Sequence, residues 1–283
     1  RVPEIVIGLT VVALGTSTPE LIVNIFSSAK GATDLALGNV IGSNNFNILI
    51  IMGLSAIFSP LDLKTSTVWK EVPFALFISV LVMLIANDRW FFPGATNQIS
   101  FWEGIALLLV FALFLGYTHH LSRTVQLSTE RVKEYALPLT FAFLALGVAG
   151  LIWGGNLVVK QAIMIARLLN LSEKVIALTI VAAGTSLPEL ATSVVAAIRK
   201  HADIAVGNVI GSSIFNLLMV LGVSSVIRPL ILQSTFLPDF LLMILATLLL
   251  FVFMFVSTRH RLDRWQGIMF LLIYVGYAVL FLK

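Results

Sequence analysis

Long apolar runs separated by short polar punctuation organise this chain from end to end. Runs long enough to cross a bilayer as helices, about 20 residues each, fall at 5–28, 35–57, 72–87, 101–118, 137–165, 175–198, 204–226, 236–257 and 265–282. Brief polar stretches at 30–34, 59–64, 87–89, 201–203 and 259–264 divide them, and one longer stretch of mixed charge runs from His119 to Glu134. That stretch reads as a link between two halves rather than as a domain of its own. The pattern predicts an all-α polytopic membrane protein with nine spans, divided into a first repeat at 1–118, a link at 119–136 and a second repeat at 137–283.

The two halves are copies of one another. Gly15-Thr16-Ser17-Thr18-Pro19-Glu20 returns as Gly184-Thr185-Ser186-Leu187-Pro188-Glu189, displaced by 189 − 20 = 169 positions. The same offset pairs Gly38-Asn39-Val40-Ile41-Gly42-Ser43 with Gly207-Asn208-Val209-Ile210-Gly211-Ser212, and Phe46-Asn47 with Phe215-Asn216. From Val6 to Leu61, roughly half of the positions are identical to their partners, the self-similarity of a repeat architecture. The halves are nevertheless unequal, because a whole span at 137–165 precedes the second motif helix while only Arg1 to Glu4 precede the first. Repeats of five spans are therefore expected, ten in the complete protein, with the first helix of the first repeat absent from this chain. Five is odd, so the second copy enters the membrane from the opposite side, and inverted repeats of this kind are a mark of transporters.

Composition agrees with a membrane protein and adds an orientation. Of 283 residues, 59% are hydrophobic and 11% charged, with a mean hydropathy of +1.02, whereas about a quarter of the residues of a soluble domain are charged. The chain has no cysteine, which excludes disulfides and thiolate metal sites. The net charge of +4 does not point to nucleic acid, because Lys and Arg gather in cytoplasmic loops and set orientation. Eleven of them share one side: Arg1, Lys64, Lys70, Arg123, Arg131, Lys133, Arg199, Lys200, Arg259, Arg261 and Arg264. Six share the other: Lys30, Arg89, Arg167, Lys174, Arg228 and Lys283. The side with eleven is expected in the cytoplasm, together with the link. Trp69, Trp90, Trp102 and Trp265 lie near span ends and read as interfacial anchors.

Against this apolar background, Glu20 and Glu189 stand near the middle of their spans. A carboxylate at that depth is costly and marks a functional site by default. Pairing with a cation on a neighbouring helix would be the bland explanation, but Lys160 is the single basic residue well inside a span, and it cannot balance two acids. A transported metal cation can. Pro19 and Pro188 each remove a backbone donor and release the carbonyls one turn earlier, beside the Thr16, Ser17, Thr185 and Ser186 hydroxyls. Back-bonding to the preceding turn explains any one of those hydroxyls equally well. Ser43 and Asn47, and likewise Ser212 and Asn216, stand at i and i+4 on one helix face. The donor set is all oxygen, suited to calcium or sodium rather than zinc or copper. Gly38, Gly42, Gly207 and Gly211 keep a four-residue spacing that lets another helix approach closely. Asn39 and Asn208 fit an interhelical bond as well as a ligand role, and Asn156 with Lys160 fit snorkelling or an interhelical bond.

The duplicated Gly-Thr-Ser-x-Pro-Glu and Gly-Asn-Val-Ile-Gly-Ser-x-x-Phe-Asn motifs resemble the α-repeats of the sodium/calcium exchanger family, within the calcium/cation antiporter superfamily. The resemblance covers about 56 residues in each half. It implies exchange of calcium against several sodium ions at a central cluster of sites, with the motif glutamates binding both ions. By position, the implied ligands are Glu20, Ala13, Thr16, Ser17, Ser43 and Asn47 in one half. In the other they are Glu189, Ala182, Thr185, Ser186, Ser212 and Asn216, the alanines and threonines giving carbonyls. Some members of the family have Asp where this chain has Asn216, which bears on occupancy of the middle site and on any potassium dependence.

Charge counting supports exchange independently: two empty carboxylates repel one another, and either calcium or a set of sodium ions relieves the repulsion. The expected function is secondary antiport by alternating access, without a cofactor and without enzymatic chemistry. A proton/calcium antiporter is the nearest alternative. A cation channel would need a continuous polar path, yet only two spans in each half are polar. An intramembrane serine hydrolase on Ser17 or Ser186 lacks a base, since His119, His120, His201 and His260 all fall in loops. The partners expected are the lipid bilayer and the ions, with no nucleic acid and no oligomeric state assigned. The short link favours a prokaryotic plasma membrane.

Overall fold

The computed structural model describes residues 3–63, 67–124, 176–256 and 260–281, with scattered positions between 138 and 164. The expected span at 137–165 thus lies largely outside the described residues, as do Asn156, Lys160 and positions 125–136 of the link.

Among the described residues, five unbroken helices are long and apolar enough to cross a membrane. They are α3 (Thr33–Phe58), α4 (Thr67–Ile85), α5 (Phe101–Ser122), α8 (Ala202–Ile227) and α9 (Ser234–Val256). Two further apolar runs form bent pairs: α1 (Glu4–Thr16) with α2 (Thr18–Ala29) at 45°, and α6 (Leu178–Thr185) with α7 (Leu187–Ile198) at 55°. The shorter apolar helix α10 (Arg264–Leu280) occupies the place of the last expected run. The chain is therefore an all-α polytopic membrane protein.

Both bends come from the motif. Pro19 and Pro188 sit in the first turn of α2 and α7, where their missing N–H interrupts the ladder from the preceding helix. Ser17 (φ −83°, ψ 7°) and Ser186 (φ −84°, ψ 8°) take up the break. Short π-helical segments accompany the breaks at Gly8–Val12 and Ile176–Val181, and others follow the second motif at Asn47–Met52 and Asn216–Val220. Such insertions recur at functional sites.

The halves interlock pairwise. α1 packs on α8 while α6 packs on α3; the end of α8 packs on α5 while the end of α3 packs on α10. Small residues set these crossings. A Cβ on Gly42 would lie 2.7 Å from both the Ala182 Cβ and the Leu178 carbonyl oxygen, and one on Gly211 would lie 2.8 Å from the Leu9 Cα. The glycine spacing thus serves helix approach, as expected. α3 and α8 are enclosed at the centre, with 83% and 78% of their apolar windows buried against 28% for α5, which faces outward.

Two-residue strands tie the ends together. β1 (Leu61–Asp62) pairs antiparallel with β4 (Arg261–Leu262), and β2 (Gln98–Ile99) pairs antiparallel with β3 (Leu230–Ile231). Beside the β1–β4 ribbon, Glu4, Asp62, Lys200, Asp203 and Arg261 line a cavity of about 600 Å³. At the other ribbon, Gln233 donates to Asp34 at 2.7 Å. The start of α1 meets the turn of the second helical hairpin, α7–α8, through His201 Nδ1 and Glu4 Oε1 at 3.0 Å, while the turn of the first helical hairpin, α2–α3, lies by the segment after α8. This is the packing of a pseudo-symmetric repeat fold.

Candidate functional site

The two breaks bring Glu20 and Glu189 together. Both side chains are fully buried, and each is held by the serine of the opposite half: Ser17 Oγ donates to Glu189 Oε1 at 2.7 Å, and Ser186 Oγ donates to Glu20 Oε1 at 3.0 Å. Because Ser17 and Glu20 lie in one motif, this exchange of bonds puts both motifs into a single cluster. Ser212 Oγ adds a third contact, 3.3 Å from Glu189 Oε1. The second oxygen of each glutamate, Oε2, is buried without a hydrogen-bond partner. A buried acceptor left without a partner costs on the order of 1–3 kcal/mol, more for an ion, so two at one place favour a proton or a cation between them.

The hydroxyls divide by residue type. Ser17 and Ser186 cross to the glutamates, whereas the threonines bond to the preceding turn as well as across. Thr16 Oγ1 lies 3.0 Å from the Val12 carbonyl and 3.2 Å from Asn208 Oδ1; Thr185 Oγ1 lies 3.2 Å from the Ala182 carbonyl and 3.2 Å from Asn39 Oδ1. Asn39 and Asn208 thus each clasp the threonine of the opposite half. The carbonyls of Ala13 and Ala182 accept from the backbone N–H of Ser17 and Ser186, at 2.9 and 3.1 Å, and each is also met by the threonine hydroxyl of its own motif, at 3.4 Å for Thr16 and 3.2 Å for Thr185. Ser43 Oγ approaches the Ala182 carbonyl and Thr185 Oγ1, both at 3.4 Å, so it reaches the opposite motif without touching Glu20.

Asn47 and Asn216 lie one turn beyond Ser43 and Ser212, fully buried. Asn216 Oδ1 has no partner, and neither end of the Asn47 carboxamide has one. Among the residues expected at the site, buried oxygens without a hydrogen-bond partner belong to Glu20, Glu189, Asn47 and Asn216; Ser28, Asn45, Ser55, Thr67 and Glu71 carry one as well. Among the described residues no three His, Cys, Asp or Glu side chains gather at one place. Two carboxylates with neutral oxygens around them are a donor set of the kind that suits a hard cation.

Asn24, Asn44 and Ser224 were not anticipated. Asn24 Nδ2 donates to the Ala36 carbonyl at 3.0 Å and to Ser224 Oγ at 3.2 Å, while its Oδ1 accepts from Asn39 at 2.8 Å. Asn44 reaches Asn216. A polar residue inside an apolar span was the one available signal, and the duplication hides it, because positions 24 and 44 correspond to Ser193 and Ser213.

Residues 1–119 and 139–283 match the family model described as sodium/calcium exchanger protein. A putative antiporter, CaxA, of Alkalimonas amylolytica is 35% identical over 99% of this chain and 88% of its own length. The inner membrane protein YrbG of Escherichia coli (strain K12) is 39% identical over 81% of this chain and 71% of its own. Among solved structures, the sodium-calcium exchanger NCX_Mj soaked with sodium and strontium superposes with a TM-score of 0.81 at 33% identity, covering 99% of this chain and 88% of that one.

Proposed function

The chain belongs to the sodium/calcium exchanger family, and on that footing we propose that it exchanges calcium for sodium across the membrane by alternating access. The reading places the ions at the Glu20–Glu189 cluster, with ligand oxygens from Ala13, Thr16, Ser17, Ser43 and Asn47 and from Ala182, Thr185, Ser186, Ser212 and Asn216. The observation that carries it is the reciprocal clasp: each motif serine fixes one oxygen of the opposite glutamate and leaves the other buried and unpartnered. Two negative charges match one calcium or two sodium ions, so either load relieves the repulsion and the loads exclude one another. That competition couples their fluxes.

Residues 1–118 and 137–283 act in this reading as inverted repeats, supported by the crossed packing of α1 on α8 and of α6 on α3. Inverted repeats permit one group of helices to rock against another around a fixed site. The side bearing Lys200 and Arg261 faces the cytoplasm of a prokaryotic cell. Calcium uptake into proteoliposomes, measured with a sodium gradient alone and with a pH gradient alone, tests the counter-ion. Uptake driven by sodium and not by protons is expected; the reverse would make the chain a proton/calcium antiporter.

A further inference from the structure

Asn216 and Asn47 occupy corresponding positions in the two halves, yet only one of them is held. Asn216 Nδ2 donates to Asn44 Oδ1 at 3.2 Å. Asn44 cannot turn its carboxamide over without loss, because its Nδ2 faces the Ser213 carbonyl at 3.4 Å and Met243 Sδ at 3.6 Å, two groups that only accept. With the Asn44 nitrogen committed there, its oxygen must face Asn216. The end of Asn216 that meets it must then be the nitrogen, which turns Asn216 Oδ1 away from Asn44. That oxygen is buried and unpartnered, one turn along α8 from Ser212, whose hydroxyl touches Glu189.

Asn47 has no such restraint. The residue corresponding to Asn44 in the second half is Ser213, and its hydroxyl donates to the Val209 carbonyl of its own helix at 2.9 Å. It offers Asn47 nothing, and both ends of the Asn47 carboxamide are buried without partners.

We infer that Asn44 is a positioning residue that locks the Asn216 carboxamide with its oxygen toward the glutamate cluster, a restraint with no counterpart at Asn47, so that the two halves of the site are unequal. The inference rests on the proposal that this cluster binds the transported ions. Asn216 is in this view a preset oxygen ligand, and Asn47 one that is oriented only when an ion arrives.

The test is the calcium dependence of sodium-driven uptake by the full chain in proteoliposomes. Asn44→Ser, which installs the residue of the other half, is expected to raise KM for calcium about 3- to 10-fold, the size of one lost neutral hydrogen bond, with a smaller change in kcat. In an Asn216→Asp background there is no side-chain N–H to hold, so the same Asn44→Ser change should leave KM unaltered or lower it. An equal rise in both backgrounds would make Asn44 a packing residue and overturn the inference, as would no rise in the wild-type background. Should Asn44→Ser fail to fold, the reciprocal Ser213→Asn supplies Asn47 with the missing acceptor. A lower calcium KM is expected there, and an unchanged or higher one counts against the inference. Wild-type protein without sodium-driven uptake would instead remove the ion-site reading itself.

Discussion

At the scale of single residues, function turns on which oxygens are already bonded and which are not. Ser17 and Ser186 donate their protons to Glu189 and Glu20, so Ser17→Ala and Ser186→Ala should each cost about 1.5–3 kcal/mol of site organisation, the range for a hydrogen bond to a charged group. Calcium kcat/KM in proteoliposomes should fall about 10- to 150-fold for either variant with folding retained; wild-type values in both would mean that the clasp does not organise the site. The glutamates, serines and Asn47 with Asn216 were legible because the duplication marks them twice. Asn24 and Asn44 were not, and for a physical reason: each makes its bond to the opposite half where the corresponding residue, Ser193 or Ser213, is too short to do the same. Identity between repeats reveals what the halves share and conceals the residues that make them differ.

At the scale of elements, hydrophobic runs and prolines located the helices and their breaks, because burial of a continuous apolar surface and the missing proline N–H are local properties. The two-residue ribbons and the π-helical segments left no such mark; they depend on what the rest of the fold brings alongside. The hairpin turns show how one backbone demand is met by two residues. Gly31 adopts φ 78° at the first turn, and its counterpart Lys200 adopts φ 64° at the second, each donating its N–H to a carbonyl three residues earlier. Glycine is the favoured residue for this left-handed cap, so Lys200→Gly should stabilise the protein by about 0.5–1 kcal/mol, read as a higher thermal midpoint in detergent; a lowered midpoint would show that the lysine side chain outweighs the backbone strain. The crossings respond in the opposite direction. At Gly42 an added methyl meets backbone and the Ala182 Cβ at 2.7 Å, so Gly42→Ala should destabilise by about 1–3 kcal/mol, and an unchanged midpoint would show that α3 and α6 have room to separate.

At the scale of the whole molecule, the crossed packing of the two halves joins fold to function: helices from both repeats must meet for the two glutamates to share one cluster. If the repeats are inverted, the Lys200 and Arg261 end and the Lys30 and Arg228 end face opposite sides of the membrane. A chain without cysteine is a ready background for the check. Lys30→Cys and Lys200→Cys, in corresponding turns of the two halves, should react in sealed, right-side-out vesicles with an impermeant maleimide from opposite sides, and labelling of both from one side would refute the inversion. The central claim is that Glu20 and Glu189 form one site serving both ions, and equilibrium binding of radioactive calcium to the purified protein tests it most directly. Sodium should displace the bound calcium completely, and Glu20→Gln and Glu189→Gln should each abolish high-affinity binding in protein that remains folded. Calcium binding that survives either substitution, or that sodium leaves in place, would contradict the account.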